Sequence, residues 1–185
     1  MKAPGRRRRF EYFLETPGQP VSSEHPLWQR PLPTSRHAVI APESPPADAE
    51  APITVGDYFQ AVQAFMEGAG WAAIVRVLSG GGADPAAAPA FRIFLAKHGE
   101  YYHPARVEAE IEGVFYRWVV NVAVSAAGKS LLFKEYALLE RLAGEFTAAH
   151  VPPVYAAAEV AVGRGLTVAM FLGHGWAGFQ DFLGP

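Results

Sequence analysis

Nine of the sixteen prolines lie within the first fifty residues, and this asymmetry divides the chain. Each proline fixes φ and removes a backbone donor. PLWQRPLPTSR (26–36) and APESPPADAEAP (41–52) can therefore neither continue a helix nor pair inside a sheet. Residues 1–52 are expected to form an extended, disordered Pro-rich arm, with Leu27 and Trp28 as the side chains that would dock it. Residues 53–185 are expected to form a single domain. Half of all residues are apolar, enough to bury a sizeable core.

Composition removes several function classes. The chain has no cysteine, so disulfides, thiolate metal sites and a thiol nucleophile are excluded, and a reducing cytoplasm fits. The net charge of −2 offers no global electrostatic case for nucleic acid. The run Arg6–Arg9 is followed at once by Glu11 and Glu15, so it does not lead into the apolar stretch of a signal peptide. It reads as a solvated basic tail. No stretch approaches the roughly 18 apolar residues of a membrane span, so a cytoplasmic protein is expected.

Hydrophobic periodicity supplies the elements. In ITVGDYFQAVQAFMEGAG, Val55, Phe59, Val62, Phe65 and Met66 recur at helical spacing, Thr54 suits the cap, and Gly68 and Gly70 stop the helix. WAAIVRVL (71–78) reads as a second short helix, which completes a helical lead over 53–79, and SGGGADPAAAP (79–89) as a loop. FRIFLAKH (91–98) reads as a strand. ARVEAEI (105–111) alternates Val107, Ala109 and Ile111 against Arg106, Glu108 and Glu110. Gly113 marks a turn, and FYRWVVNVAVS (115–125) has the aromatic and β-branched content of a central strand. KSLLFKEYALLERLAGEF (129–146) predicts a helix with Leu132, Leu139, Leu142 and Phe146 on its apolar face. VYAAAEVAV and LTVAMFL, joined through Gly163-Arg164-Gly165, predict a hairpin. Three strands, a helix and two strands predict an α+β unit: a five-stranded antiparallel sheet with one packed helix.

Over residues 91–176 this order, with RWVVNVAVS, EYALLERL, HVPPVYAAAEV and VAMFLGHGW, resembles the N-terminal lobe of kinase-like small-molecule phosphotransferases such as aminoglycoside and choline kinases. The resemblance implies a third strand whose lysine reaches nucleotide phosphates and pairs with a helix glutamate. Glu135 matches the glutamate, but Asn121 stands at the lysine position, and an amide cannot supply that charge. The glycine-rich phosphate loop implied between the first two strands is here KHGEYYHP, with the single glycine Gly99. The catalytic aspartate and metal ligands belong to a second lobe that would follow GFQDFLGP. ATP and magnesium are therefore expected only for an active form of this lobe.

The segment AKHGEYYHPARV (96–107) has two readings. As a hairpin loop, Gly99 makes the turn, Pro104 sets the entry to the next strand, and Tyr101 and Tyr102 pack over the sheet edge. As an anion site, Lys97, His98, His103 and Arg106 supply the donors. No metal is expected, because zinc needs about three or four protein ligands and no spacing adds Glu100, His150 or His174 to His98 and His103. Asn121, in an apolar strand, implies a polar pocket, since an unpaired buried amide costs on the order of 1–3 kcal/mol. Lys97, Arg117 and Lys134 are ion-pair candidates for Glu135. Trp176, Phe179 and Phe182 recur every three residues, and residues 170–185 are expected to bind a protein partner or a second copy. Neither a nucleophile turn nor a Walker loop is present.

The functional expectation is a degenerate, non-catalytic kinase-like domain that binds a partner or a small anion, possible as a fragment of a larger protein. The alternatives are a phosphotransferase that needs a second lobe, a hydrolase built on His98 and His103, and an adaptor acting through its Pro-rich arm.

Overall fold

The computed structural model describes residues 8–14, 20–32, 53–79, 89–95, 102–145, 151, 153–162 and 167–174. The strands are β1 (Arg9–Leu14), β2 (Ala90–Leu95), β3 (Ala105–Ile111), β4 (Val114–Ala123), β5 (Val154–Ala161) and β6 (Thr167–His174). The helices are α1 (Val55–Glu67), α2 (Ala69–Ser79) and α3 (Ala126–Glu145). The strands form one mixed sheet in the order β1-β2-β3-β4-β6-β5.

The sheet departs from the expected five antiparallel strands. β2, β3, β4, β6 and β5 do pair antiparallel, but β1 adds a sixth strand parallel to β2, with Phe10 opposite Phe91 and Phe13 opposite Phe94. β1 comes from the segment expected to be an extended arm. It occupies the proline-free window between Pro4 and Pro17, so every residue keeps its donor. A parallel neighbour needs a long crossover, and the chain between β1 and β2, with α1 and α2 in it, supplies one.

A second part of that segment also joins the core. Residues 26–29 make a 3-10 turn that buries Trp28, and Leu32 donates to the Ile53 carbonyl at 2.8 Å while Val55 donates to Arg30 at 2.9 Å. Trp28 lies on α1 at Gly56, where any β-carbon would overlap the indole ring.

α1 begins at a reciprocal cap. Thr54 Oγ1 accepts from the Asp57 backbone at 3.1 Å, and Asp57 Oδ2 accepts from the Thr54 backbone at 2.8 Å. The sheet curls around α1: Phe59 meets Tyr12 of β1 at 5.1 Å, and the same helix packs on β5 and β6. Tyr58, Phe59, Val62, Phe65 and Met66 are buried with Phe91, Ile93, Val107, Val120 and Leu172 of the sheet. Each such side chain contributes about 1.5–3 kcal/mol by leaving water. Val55, Phe59, Val62, Phe65 and Met66, the expected core face of α1, are all buried, and Tyr58 and Ala61 join them. Glu112 and Gly113 both take positive φ, 53° and 80°, in the two-residue turn that brings Ile111 opposite Val114.

α3 lies on the opposite face of the sheet, over β4, β6 and β5. It starts three residues earlier than the periodicity predicts because Ser125 Oγ accepts from the Gly128 backbone at 3.1 Å and caps it. Its core is small: Leu132 and Ala123 are buried, with Tyr102, Tyr136, Leu139, Val154 and Ala157 around them. No helix among the described residues is long and apolar enough to cross a membrane.

Candidate functional site

The two sheet faces separate the residues singled out by sequence. Lys97, His98, Gly99, Trp176, Phe179 and Phe182 lie outside the described residues. His103 donates its backbone N–H to Val122 at 2.8 Å and so extends the β3–β4 register. It is buried beside α1, where the Tyr58 hydroxyl donates to the His103 carbonyl at 2.8 Å. Burial pushes the Tyr58 phenol well above its ordinary value. His103 therefore belongs to the core side, whereas Arg106, Asn121 and Glu135 do not share it. The four-donor anion site loses His103 for this reason.

Register puts Asn121 between Val119 and Ala123 on the α3 face, half-buried and opposite Phe171 of β6. The strand alternation that hides Val120 and Val122 in the core turns Asn121 outward from it. Glu135 is half-buried on α3. Its neighbour is Tyr102, which the sequence reading assigned to the sheet edge and which instead packs against Ala123 and Leu132. Burial first, then the Glu135 carboxylate, raises the Tyr102 phenol far above its ordinary value. The Tyr102 hydroxyl is sealed from solvent without a well-aligned hydrogen bond. Of the three cations considered for Glu135, Arg117 is engaged elsewhere.

Arg117 belongs to a cluster the sequence did not reveal. Glu108 was expected on the solvent side of β3. It is on that side, yet it is 4% exposed. Its Oε2 meets Arg92 Nη2 at 3.1 Å, and its Oε1 meets Arg117 Nε at 3.1 Å and Arg106 Nε at 3.3 Å. Register explains the convergence: Arg92 of β2 and Arg117 of β4 both stand directly opposite Glu108. The Arg117 contact is also a well-formed hydrogen bond, whereas Arg106 Nε is close but misaligned. Phenylalanines frame the cluster. The Arg106 guanidinium lies 4.2 Å from the Phe94 ring, and those of Arg92 and Arg117 lie 5.9 and 6.0 Å from Phe115. The available signal was arginine at matching positions of adjacent strands, which becomes visible only once the register is known.

Among the described residues no group of three histidines, aspartates or glutamates is placed to hold a metal. No family model, curated protein or solved structure matches this chain. Its outer face carries two polar groups, Asn121 with Tyr102 and Glu135, and Glu108 with its arginines.

Proposed function

We propose that this chain is a kinase-like N-lobe that lacks phosphate chemistry and acts by binding. The carrying observation is the polar group under α3. At the position where the resemblance implies a phosphate-reaching lysine stands the amide of Asn121, on the α3 face of β4. The helix glutamate of the resemblance, Glu135, has a neutral phenol, Tyr102, beside it. The one cation of β4, Arg117, is held by Glu108. An uncharged amide and a phenol cannot offset the charge that develops on a transferring phosphoryl group. The antiparallel order β2-β3-β4-β6-β5, with α3 between β4 and β5, supports the architecture in this reading.

Calorimetric titration with ATP and magnesium, followed by phosphorus NMR of the mixture, tests it. The expected result is no tight binding and no phosphoryl transfer. Tight ATP–magnesium binding with transfer to any acceptor would overturn the reading.

A further inference from the structure

Glu108 needs only one guanidinium to neutralise its charge, and it has three. The surplus is not required to bury a carboxylate, and like charges held together cost free energy. Arg106 and Arg117 meet Glu108 through Nε, and each guanidinium carries a terminal Nη pair besides that contact. That pair is the fork that grips a carboxylate bidentately. The three arginine side chains are between a third and a half exposed. Phe115 is 51% exposed, with Arg92 and Arg117 near its ring.

We infer that the outer face of β2, β3 and β4 is a docking surface for an acidic peptide segment of a partner protein. Its carboxylates would meet the guanidiniums of Arg92, Arg106 and Arg117, and an apolar side chain would cover Phe115. Charge complementarity selects this class of partner. Counting Arg9, Glu11 and Glu110 on the same face, four arginines stand against three glutamates, so the patch is locally positive on a chain of net charge −2. The surrounding carboxylates also argue against a polyanion. A nucleic-acid backbone would meet Glu11 and Glu110 as it followed the sheet, whereas a short acidic segment fits between them. The inference rests on the binding role proposed above and names its partner class.

NMR titration of the full chain with an acetylated Asp-Glu-Phe-Glu-Asp peptide tests it. The controls are the Asn-Gln-Phe-Gln-Asn analogue and a thymidine oligonucleotide. Shifts should concentrate at Arg92, Phe115 and Arg117, weaken with added salt and vanish with the amide analogue. Arg117→Lys keeps the charge on Glu108 but loses the fork, and should weaken binding by roughly tenfold. Phe115→Thr changes an exposed side chain and should weaken it by a similar factor, roughly tenfold, with an unchanged unfolding midpoint. No shifts at these residues up to about 1 mM peptide, equal binding of the amide analogue, or tighter binding of the oligonucleotide on this face would each overturn the inference. ATP turnover would sink the non-catalytic reading alone. Absence of peptide binding without ATP turnover would sink only this one.

Discussion

α1 and α3 lie on opposite faces of one sheet and are held in different ways. α1 has 13 residues and buries eight of them, whereas α3 has 20 and buries two. α1 carries Tyr58, Phe59, Phe65 and Met66 into a space the sheet closes around. α3 is rich in Ala, Leu, Lys, Glu and Arg, the residues that favour a helix without tertiary help. It leaves Leu131, Phe133 and Leu138 exposed. One face of this sheet is thus packed on an aromatic core, and the other holds its polar and charged groups. The core face is apolar and aromatic apart from the buried His103. The outer face carries Asn121, Tyr102, Glu135, Glu108 and the three arginines.

Substitutions can break that contrast, and the largest effects should come from the α1 side. Phe59→Ala removes a ring that contacts Tyr12, Trp28 and Tyr58. It should cost about 4 kcal/mol in urea unfolding. Gly56→Ala places a methyl inside the Trp28 ring. It should cost about 3 kcal/mol and shift tryptophan emission to the red as the indole leaves its site. Unchanged emission and stability would show that residues 26–29 are not packed on α1.

The outer face should respond less. Glu108→Gln leaves three guanidiniums around a neutral amide. Breaking a fully buried pair costs about 3–5 kcal/mol, but these arginines remain partly in water, so about 1–2 kcal/mol is expected in the same unfolding measurement. A smaller, pH-dependent effect is expected at Tyr102. Its folded phenol is raised above the ordinary value of 10.0, so the folded state holds that proton more tightly. This contribution is complete below about pH 10 and is lost as pH rises from there toward the folded value. Tyr102→Phe should flatten part of that alkaline fall, leaving the parts due to Tyr58, Tyr12, Tyr136 and Tyr155, whose phenols are also raised. An identical slope in the variant would show that Tyr102 is not sealed beside Glu135. Smallest of all, Leu138→Ser on the exposed flank of α3 should change stability by less than about 0.5 kcal/mol.

Some of this was readable without the fold. The Thr54 cap, the end of α1 at Gly68, the bounds of β3 and the turn at Gly113 follow from spacing and turn chemistry over a few residues. β1 was hidden because proline density spoke for the whole arm, while the window between Pro4 and Pro17 obeys a different rule. His103 looked like a ligand beside Arg106, yet a residue on a strand shares a face with its second neighbour, not its third. Tyr102 drew attention only as a loop aromatic, since its contact with Glu135 depends on where α3 lies.

Local pattern fixed the three helices, the strands β2 to β6 and the core face of α1, because periodicity and capping act within about one or two turns of chain. It also placed an amide, Asn121, inside an apolar strand. Only the tertiary structure decided that β1 joins the sheet in parallel, that Asn121 and Glu135 lie on the opposite side from His103, and that Glu108 is buried among Arg92, Arg106 and Arg117. These outcomes depend on which strands pair, in what register, and on where α3 lies; a shift of one residue in a strand would send that strand's side chains to the other face.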